Sequence, residues 1–174
     1  MTTDDFAHRL PLSQIRDGDR IDLVADEGER ELTADRLNLR SLDRLEAHAT
    51  LERKGEIVRA RGRLKASLCQ SCVVTDEPVD ARADEAFDIY FLPEPRTDSR
   101  DEEVELVESD CDVVFHDGAA IDLGSAIADT LALALDPYPR SAGAEAALKE
   151  AGVLSEAEAG PFAALAKLKR SESD

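Results

Sequence analysis

The chain has no tryptophan and only seven aromatic residues, five Phe and two Tyr, among 174. Aromatic side chains supply much of the buried area in many cores. Here the core must be built from aliphatic residues and from 26 Ala. Cysteine is scarce too, and its count of three is odd, which argues against a disulfide framework. No run approaches the roughly 18 apolar residues of a spanning helix, so no membrane partner is expected. The start, Met1-Thr2-Thr3-Asp4-Asp5, lacks the basic and apolar regions of a secretory signal. Together with unpaired thiols, this makes the cytoplasm the expected location. Positive charge is in short supply as well. Lys plus Arg number 21 against 39 Asp plus Glu, a net charge of −18. Such a surface repels a phosphate backbone over most of its area. Contact with nucleic acid would therefore need a basic protein partner or a local patch.

Catalytic signatures are also missing. The sequence has no phosphate-binding glycine loop, nucleophile elbow or Ser/His/Asp order, and its histidines, His8, His48 and His116, are scattered. Carboxylate pairs carry no specificity among 39 acids. Neither an enzyme nor a small-molecule substrate is expected.

Alternation dominates the middle of the chain. Leu45, Ala47, Ala49 and Leu51 alternate with polar residues, and Arg53-Lys54-Gly55-Glu56 closes a hairpin. The following run places Val58, Ala60, Gly62, Leu64, Ala66 and Leu68 on one face. A third strand carries Val79, Ala81, Ala83, Phe87, Ile89 and Phe91, with a bulge expected at Glu85-Ala86. Shorter strands are expected at Phe6–Leu12, Arg20–Val24 and Asp112–His116. Asp26-Glu27-Gly28 reads as a turn, and Thr33 as the cap of one or two helical turns. Asp122 caps a helix whose Leu123, Ile127, Leu131 and Leu135 recur every four residues, and Pro137 stops it. The stretch 93–103 holds Pro, Ser and charge without apolar anchors, and reads as a mobile acidic loop. Residues 141–174 are expected to form an Ala/Glu-rich segment, a short C-terminal helix and a disordered tail. Pro161 suits the first position of that helix, and Phe162, Leu165 and Leu168 give it an apolar stripe for a partner.

The predicted fold class is α+β: a curved antiparallel β-sheet with a packed helix and a C-terminal helix. Residues 1–140 form one domain and 141–174 the appended segment.

Two constellations stand out. Cys69-Gln70-Ser71-Cys72 has the spacing of a metal or redox pair, and falls where a strand ends in a turn. Zinc needs four ligands; Cys111 and His116 could complete a Cys₃His set, although their spacing matches no recognised knuckle. The alternative is a tight turn with small buried thiols. The second constellation is the row Arg59, Arg61, Arg63 and Lys65, all on the polar face of one strand. Four cations at this spacing span roughly 20 Å. They can bind nucleic acid or a partner, or pair across the sheet with Glu46, Glu52, Asp80, Asp84 and Asp88.

Three segments in order resemble one family. They are Cys69-x-x-Cys72 followed by a strand, then Ile121-Asp122-Leu123 opening a helix that ends Leu133-Ala134-Leu135-x-Pro137-x-Pro139, and then Pro161-Phe162-Ala163-x-Leu165-Ala166-x-Leu168-Lys169. Together they resemble the YceD-like family of bacterial and plastid proteins, over roughly residues 60–170. The chain departs from the family pattern at Ser71, where Arg is common, and at Gly160, where Asn is common. It also has Leu135-Asp136-Pro137 in place of Leu-Pro. The resemblance implies a non-enzymatic factor for large ribosomal subunit assembly and 23S rRNA accumulation. Its partner would be a basic ribosomal protein, 23S rRNA, or both. The alternative is a zinc- or thiol-dependent protein-binding module built on Cys69 and Cys72. No cofactor is expected beyond that zinc.

Overall fold

The computed structural model describes residues 6–94 and 112–153. The alternating runs form the expected hairpin. Strand β3 (Ser41–Lys54) pairs antiparallel with β4 (Ile57–Ser71) along nearly its whole length, from Ser41 opposite Cys69 to Lys54 opposite Ile57. Gly55 enters the two-residue loop at φ 65°, a conformation that costs glycine little. Arg53 fastens the loop. Its guanidinium donates to the carbonyls of Gly55 (2.9 Å), Ile15 (3.0 Å) and Leu12.

Two units divide the chain: Met1–Gln70 with Asp80–Pro137, and Ser71–Val79 with Tyr138–Asp174. In the first, a five-stranded sheet runs β2-β3-β4-β5-β6. Here β2 is Arg20–Val24, β5 Pro78–Pro93 and β6 Asp112–His116. Strand β2 is antiparallel to β3, as expected. Strand β6 instead lies parallel to β5, with Ile89 opposite Asp112 and Pro93 opposite His116. The sheet is therefore mixed within the predicted α+β class. A two-stranded sheet joins β1 (Arg9–Pro11) to β7 (Ala120–Asp122).

Helix α2 (Leu123–Ala134) follows β7 directly. Asp122 caps it by accepting from Ser125 N–H at 3.0 Å. The expected stripe is real: Leu123, Ile127 and Leu131 are fully buried, and Leu135 packs beside them. They share one cluster with Leu45, Leu51, Val58, Leu64, Phe87, Ile89 and Phe91. At Gly124 an added Cβ would lie 2.2 Å from the Phe6 carbonyl oxygen, so only glycine lets the N-terminal segment cross the first turn. The core is mainly aliphatic, with Phe6, Phe87 and Phe91 as its aromatic members.

Three local readings change. Asp26-Glu27-Gly28 opens helix α1 (Glu27–Arg36) rather than a turn. Asp26 accepts from Glu29 N–H at 2.9 Å, and the Glu29 carboxylate accepts from Asp26 N–H at 2.8 Å. This reciprocal box outweighs the helix cost of Gly28. Thr33 lies inside that helix, fully buried, and its hydroxyl accepts from Phe6 N–H at 3.4 Å. The third change concerns β5. Its buried residues Ala83, Phe87, Ile89 and Phe91 stay on odd numbers, so the face does not switch at Glu85-Ala86. The register shift falls in β3 instead, between Leu42 and Arg44. The predicted loop at 93–103 lies outside the described residues apart from Pro93 and Glu94. The predicted C-terminal helix with Phe162, Leu165 and Leu168 lies wholly outside them.

Candidate functional site: the outer face of the sheet

Strand alternation builds this surface. Even-numbered residues of β4 enter the core, so Arg59, Arg61, Arg63 and Lys65 all point outward. The structure brings the four together and gives three of them carboxylate partners. Arg59 grips Asp88 with two hydrogen bonds, of 2.7 and 2.5 Å, and its guanidinium lies 5.0 Å from the centre of the Tyr90 ring. Arg61 bonds Glu52, and Arg63 bonds Asp84. Arg59–Asp88 and Arg63–Asp84 advance in opposite senses along β4 and β5, as antiparallel neighbours require. Lys65 stands opposite Glu46, whose carboxylate accepts from Arg44 at 2.6 Å. The ion pairs raise the Arg59 and Arg63 pKa values, mainly through these hydrogen bonds, and the Arg63 bond holds Asp84 below its ordinary value.

Pairing does not erase the row. The outer faces of β2 to β5 carry eight Arg and Lys from Arg20 to Arg82, and seven Asp and Glu from Asp22 to Asp88, Asp43 at the register shift included. That is a net of +1 on a chain of −18. Negative charge is thus displaced onto other surfaces. Arg61 and Arg63 keep about half of their side-chain surface exposed, at 51% and 48%. Exposed pairs of this kind contribute little to stability. The double variant Arg61→Gln/Arg63→Gln is therefore expected to unfold within about 2 °C of the wild type. Calorimetry checks this; a loss above about 6 °C would make the row a structural element first.

The other candidate residues sit elsewhere. Cys69 lies in β4, in the first unit, half-buried, with its thiol near the Gln70 carbonyl at 3.7 Å. Cys72 lies in the second unit and is buried, and both thiols are free. Around Cys72 the second unit forms a compact polar cluster. Ser141 N–H and Val74 N–H point at the sulfur at 3.2 and 3.4 Å. The Glu77 carboxylate accepts from Ser141 Oγ at 2.6 Å and from Thr75 Oγ1 at 3.0 Å. Burial pushes the Cys72 thiol up, but the hydrogen bonds from Thr75 and Ser141 outweigh it and bring the pKa down to about 6.

A group whose folded pKa is depressed adds stability that is full above its unfolded value and is lost as pH falls through the folded one. The wild type's stability advantage over Cys72→Ser should therefore shrink between pH 9.0 and about 6. Denaturant midpoints across that range test it. An advantage that is flat or grows toward low pH would contradict the thiolate. The same sign applies to Asp84, Glu77 and Asp117. Each is held below its ordinary value, chiefly by hydrogen bonds from Arg63, from Ser141 and from Ala119 N–H respectively. Their contributions are lost below about pH 4.

His116 is occupied on both nitrogens. Nε2 donates to the Glu56 carbonyl at 2.9 Å, and Nδ1 accepts from Gly118 N–H at 3.0 Å. A carbonyl only accepts and an N–H only donates, so the ring is the neutral Nε2–H tautomer. In this arrangement it has no lone pair free for a metal. Cys111 lies outside the described residues. Among the described residues, no three His, Cys, Asp or Glu side chains gather closely enough to hold a metal ion. A cleft of about 380 Å³ lies beside Arg9, Phe115, His116, Asp117 and Asp122. Its acids are already committed: Asp122 caps α2, and Asp117 accepts from Ala119 and Ala120 N–H.

Sequence reasoning missed Thr75, Glu77 and Ser141 as partners of Cys72. Ser141 is 69 residues away, and no local pattern announces it. It also missed Tyr90 and Phe115 as outward aromatics. For Tyr90 the signal was present, since it alternates with Ile89 and Phe91.

Open sheet, buried helix and charged outer face define an α+β protein whose most developed surface is a sheet face, with no helix long and apolar enough to cross a membrane among the described residues. The chain belongs to the YceD family, the large ribosomal RNA subunit accumulation proteins, whose model matches residues 60–169. That span holds the C-x-x-C, most of the basic row and α2. No curated protein and no solved structure matches the chain.

Proposed function

We propose that this chain supports large ribosomal subunit assembly by binding a ribosomal component, and that the outer sheet face is where 23S rRNA is held. The family links it to large-subunit rRNA accumulation. The observation that carries the finer reading is the outward row of Arg59, Arg61, Arg63 and Lys65, on a face of net +1 in a chain of −18. Arg61 and Arg63 can exchange an exposed carboxylate for a phosphate at small cost, because exposed pairs are weak. Acidic surfaces elsewhere suit a basic ribosomal protein, since opposite fields speed encounter and disfavour wrong partners. The role is binding, without bond-making chemistry, in the cytoplasm.

Affinity capture from lysate, with and without ribonuclease, tests the reading. 23S rRNA should be recovered, and its recovery should fall in Arg61→Gln/Arg63→Gln. Recovery of a basic ribosomal protein that survives ribonuclease, with no rRNA dependence on the row, would shift the role to the acidic surfaces.

A second reading is a thiol- or zinc-dependent module. The lowered Cys72 pKa favours it, because thiolates are the form that binds metal. Metal analysis of the purified chain separates the two. About one equivalent of zinc, lost in Cys69→Ser/Cys72→Ser, supports this second reading.

A further inference from the structure

We infer that the β5–β6 end of the outer sheet face is a stacking site for unpaired RNA bases, continuous with the cationic row. This rests on the rRNA-contact reading above and names the form of RNA taken. The parallel register sets Val113 beside Tyr90 and Phe115 beside Leu92. Residues level with one another in a ladder share a face. Tyr90 already lies outward, under the Arg59 guanidinium, so Val113 and Phe115 lie outward with it. Phe115 is 55% exposed and Val113 41%. In a chain with five Phe, leaving one this exposed forgoes burial that a small core needs.

Charge identifies the occupant. Arg59 joins the apolar end to Arg61, Arg63 and Lys65, and successive cations on β4 stand about 7 Å apart. An apolar patch that leads into a line of cations fits a ligand with flat apolar faces and a repeating negative charge. Single-stranded RNA has both. Every base offers a π-face to an aromatic side chain, and its phosphates follow the Arg and Lys residues. A duplex hides its base faces and would use the cations alone. The Arg59–Tyr90 stack is a ready-made cation–π pair one outward rung from the Leu92–Phe115 pair.

Fluorescence anisotropy decides the matter. The probes are a short unstructured RNA of mixed sequence and an RNA duplex of equal length. The proteins are the wild type, Phe115→Leu, Phe115→Tyr and Arg61→Gln/Arg63→Gln. Leu keeps the patch apolar and removes the ring; Tyr restores the ring. Phe115→Leu should weaken single-strand binding about tenfold and leave duplex binding unchanged, and Phe115→Tyr should bind as the wild type does. If Phe115→Leu binds the single strand normally while the Arg variant is impaired, stacking is wrong and the rRNA-contact reading stands. If the wild type binds neither probe, both fail. If Phe115→Leu instead loses a protein that survives ribonuclease, the patch is a protein surface and the inference is overturned. Matching circular dichroism spectra and melting curves for the Phe115 variants separate binding from folding.

Discussion

Gly62→Ala should destabilise the protein by about 3 kcal/mol, although it adds one methyl group. An added Cβ at Gly62 would lie 1.9 Å from the His48 carbonyl oxygen and 2.6 Å from Cζ of Phe87. The Phe87 ring can tilt away. The His48 carbonyl belongs to β3, held in register with β4 by the pairs His48–Arg63 and Ala49–Gly62. Moving it disturbs the pairing of β3 with β4, the strand that carries the basic row. The denaturant midpoint should fall with an unchanged slope. Gly28→Ala is the control. Its nearest neighbour lies 3.5 Å away in the first turn of α1, so the change should be neutral or stabilising by up to about 1 kcal/mol. A Gly62→Ala protein within about 0.5 kcal/mol of the wild type would mean the strand adjusts freely here.

Phe91→Ala should cost about 3–5 kcal/mol, because Phe91 is fully buried and its removal leaves a cavity the size of a ring. The melting point should drop by about 10 °C or more. Phe91 also lies level with Val114 of β6, between the outward Tyr90 and Leu92. Its loss should loosen the β5–β6 pairing before the β3–β4 hairpin. Hydrogen exchange should show the β6 amides opening first. Equal loss of protection in both regions would contradict that order.

What the sequence made legible has a local cause. The β3–β4 hairpin and α2 are written in short-range periods: two residues for the strands, four for Leu123, Ile127 and Leu131, with Asp122 as cap. Helix α1 was misplaced because Gly28 suggested a turn, although Asp26 and Glu29 already had capping-box spacing. The parallel seat of β6 was not legible. It depends on pairing between segments about 23 residues apart, Ile89 with Asp112 onward, and Asp112–His116 pairs equally well in either direction by composition. The candidate face divides in the same way. Alternation placed Arg59, Arg61, Arg63 and Lys65 outward and named the acids Glu52, Asp84 and Asp88 that meet three of them. It did not choose one partner for each Arg, since pairing also depends on diagonal reach: Arg61 stands opposite Thr50 yet bonds Glu52. The Cys72 cluster was illegible because Ser141 arrives from a distant segment.

The central claim is that the outer sheet face holds rRNA through its cations. The most direct measurement is the salt dependence of binding to a 23S rRNA fragment, for the wild type and for Arg61→Gln/Arg63→Gln. Each lost phosphate contact should lower the slope of log affinity against log salt by about 0.7 for single-stranded RNA. The double variant should form a weaker complex with a slope reduced by about 1.4, with folding intact. Identical affinity and slope for the two proteins would contradict it, and would leave the row as a set of cross-strand pairs.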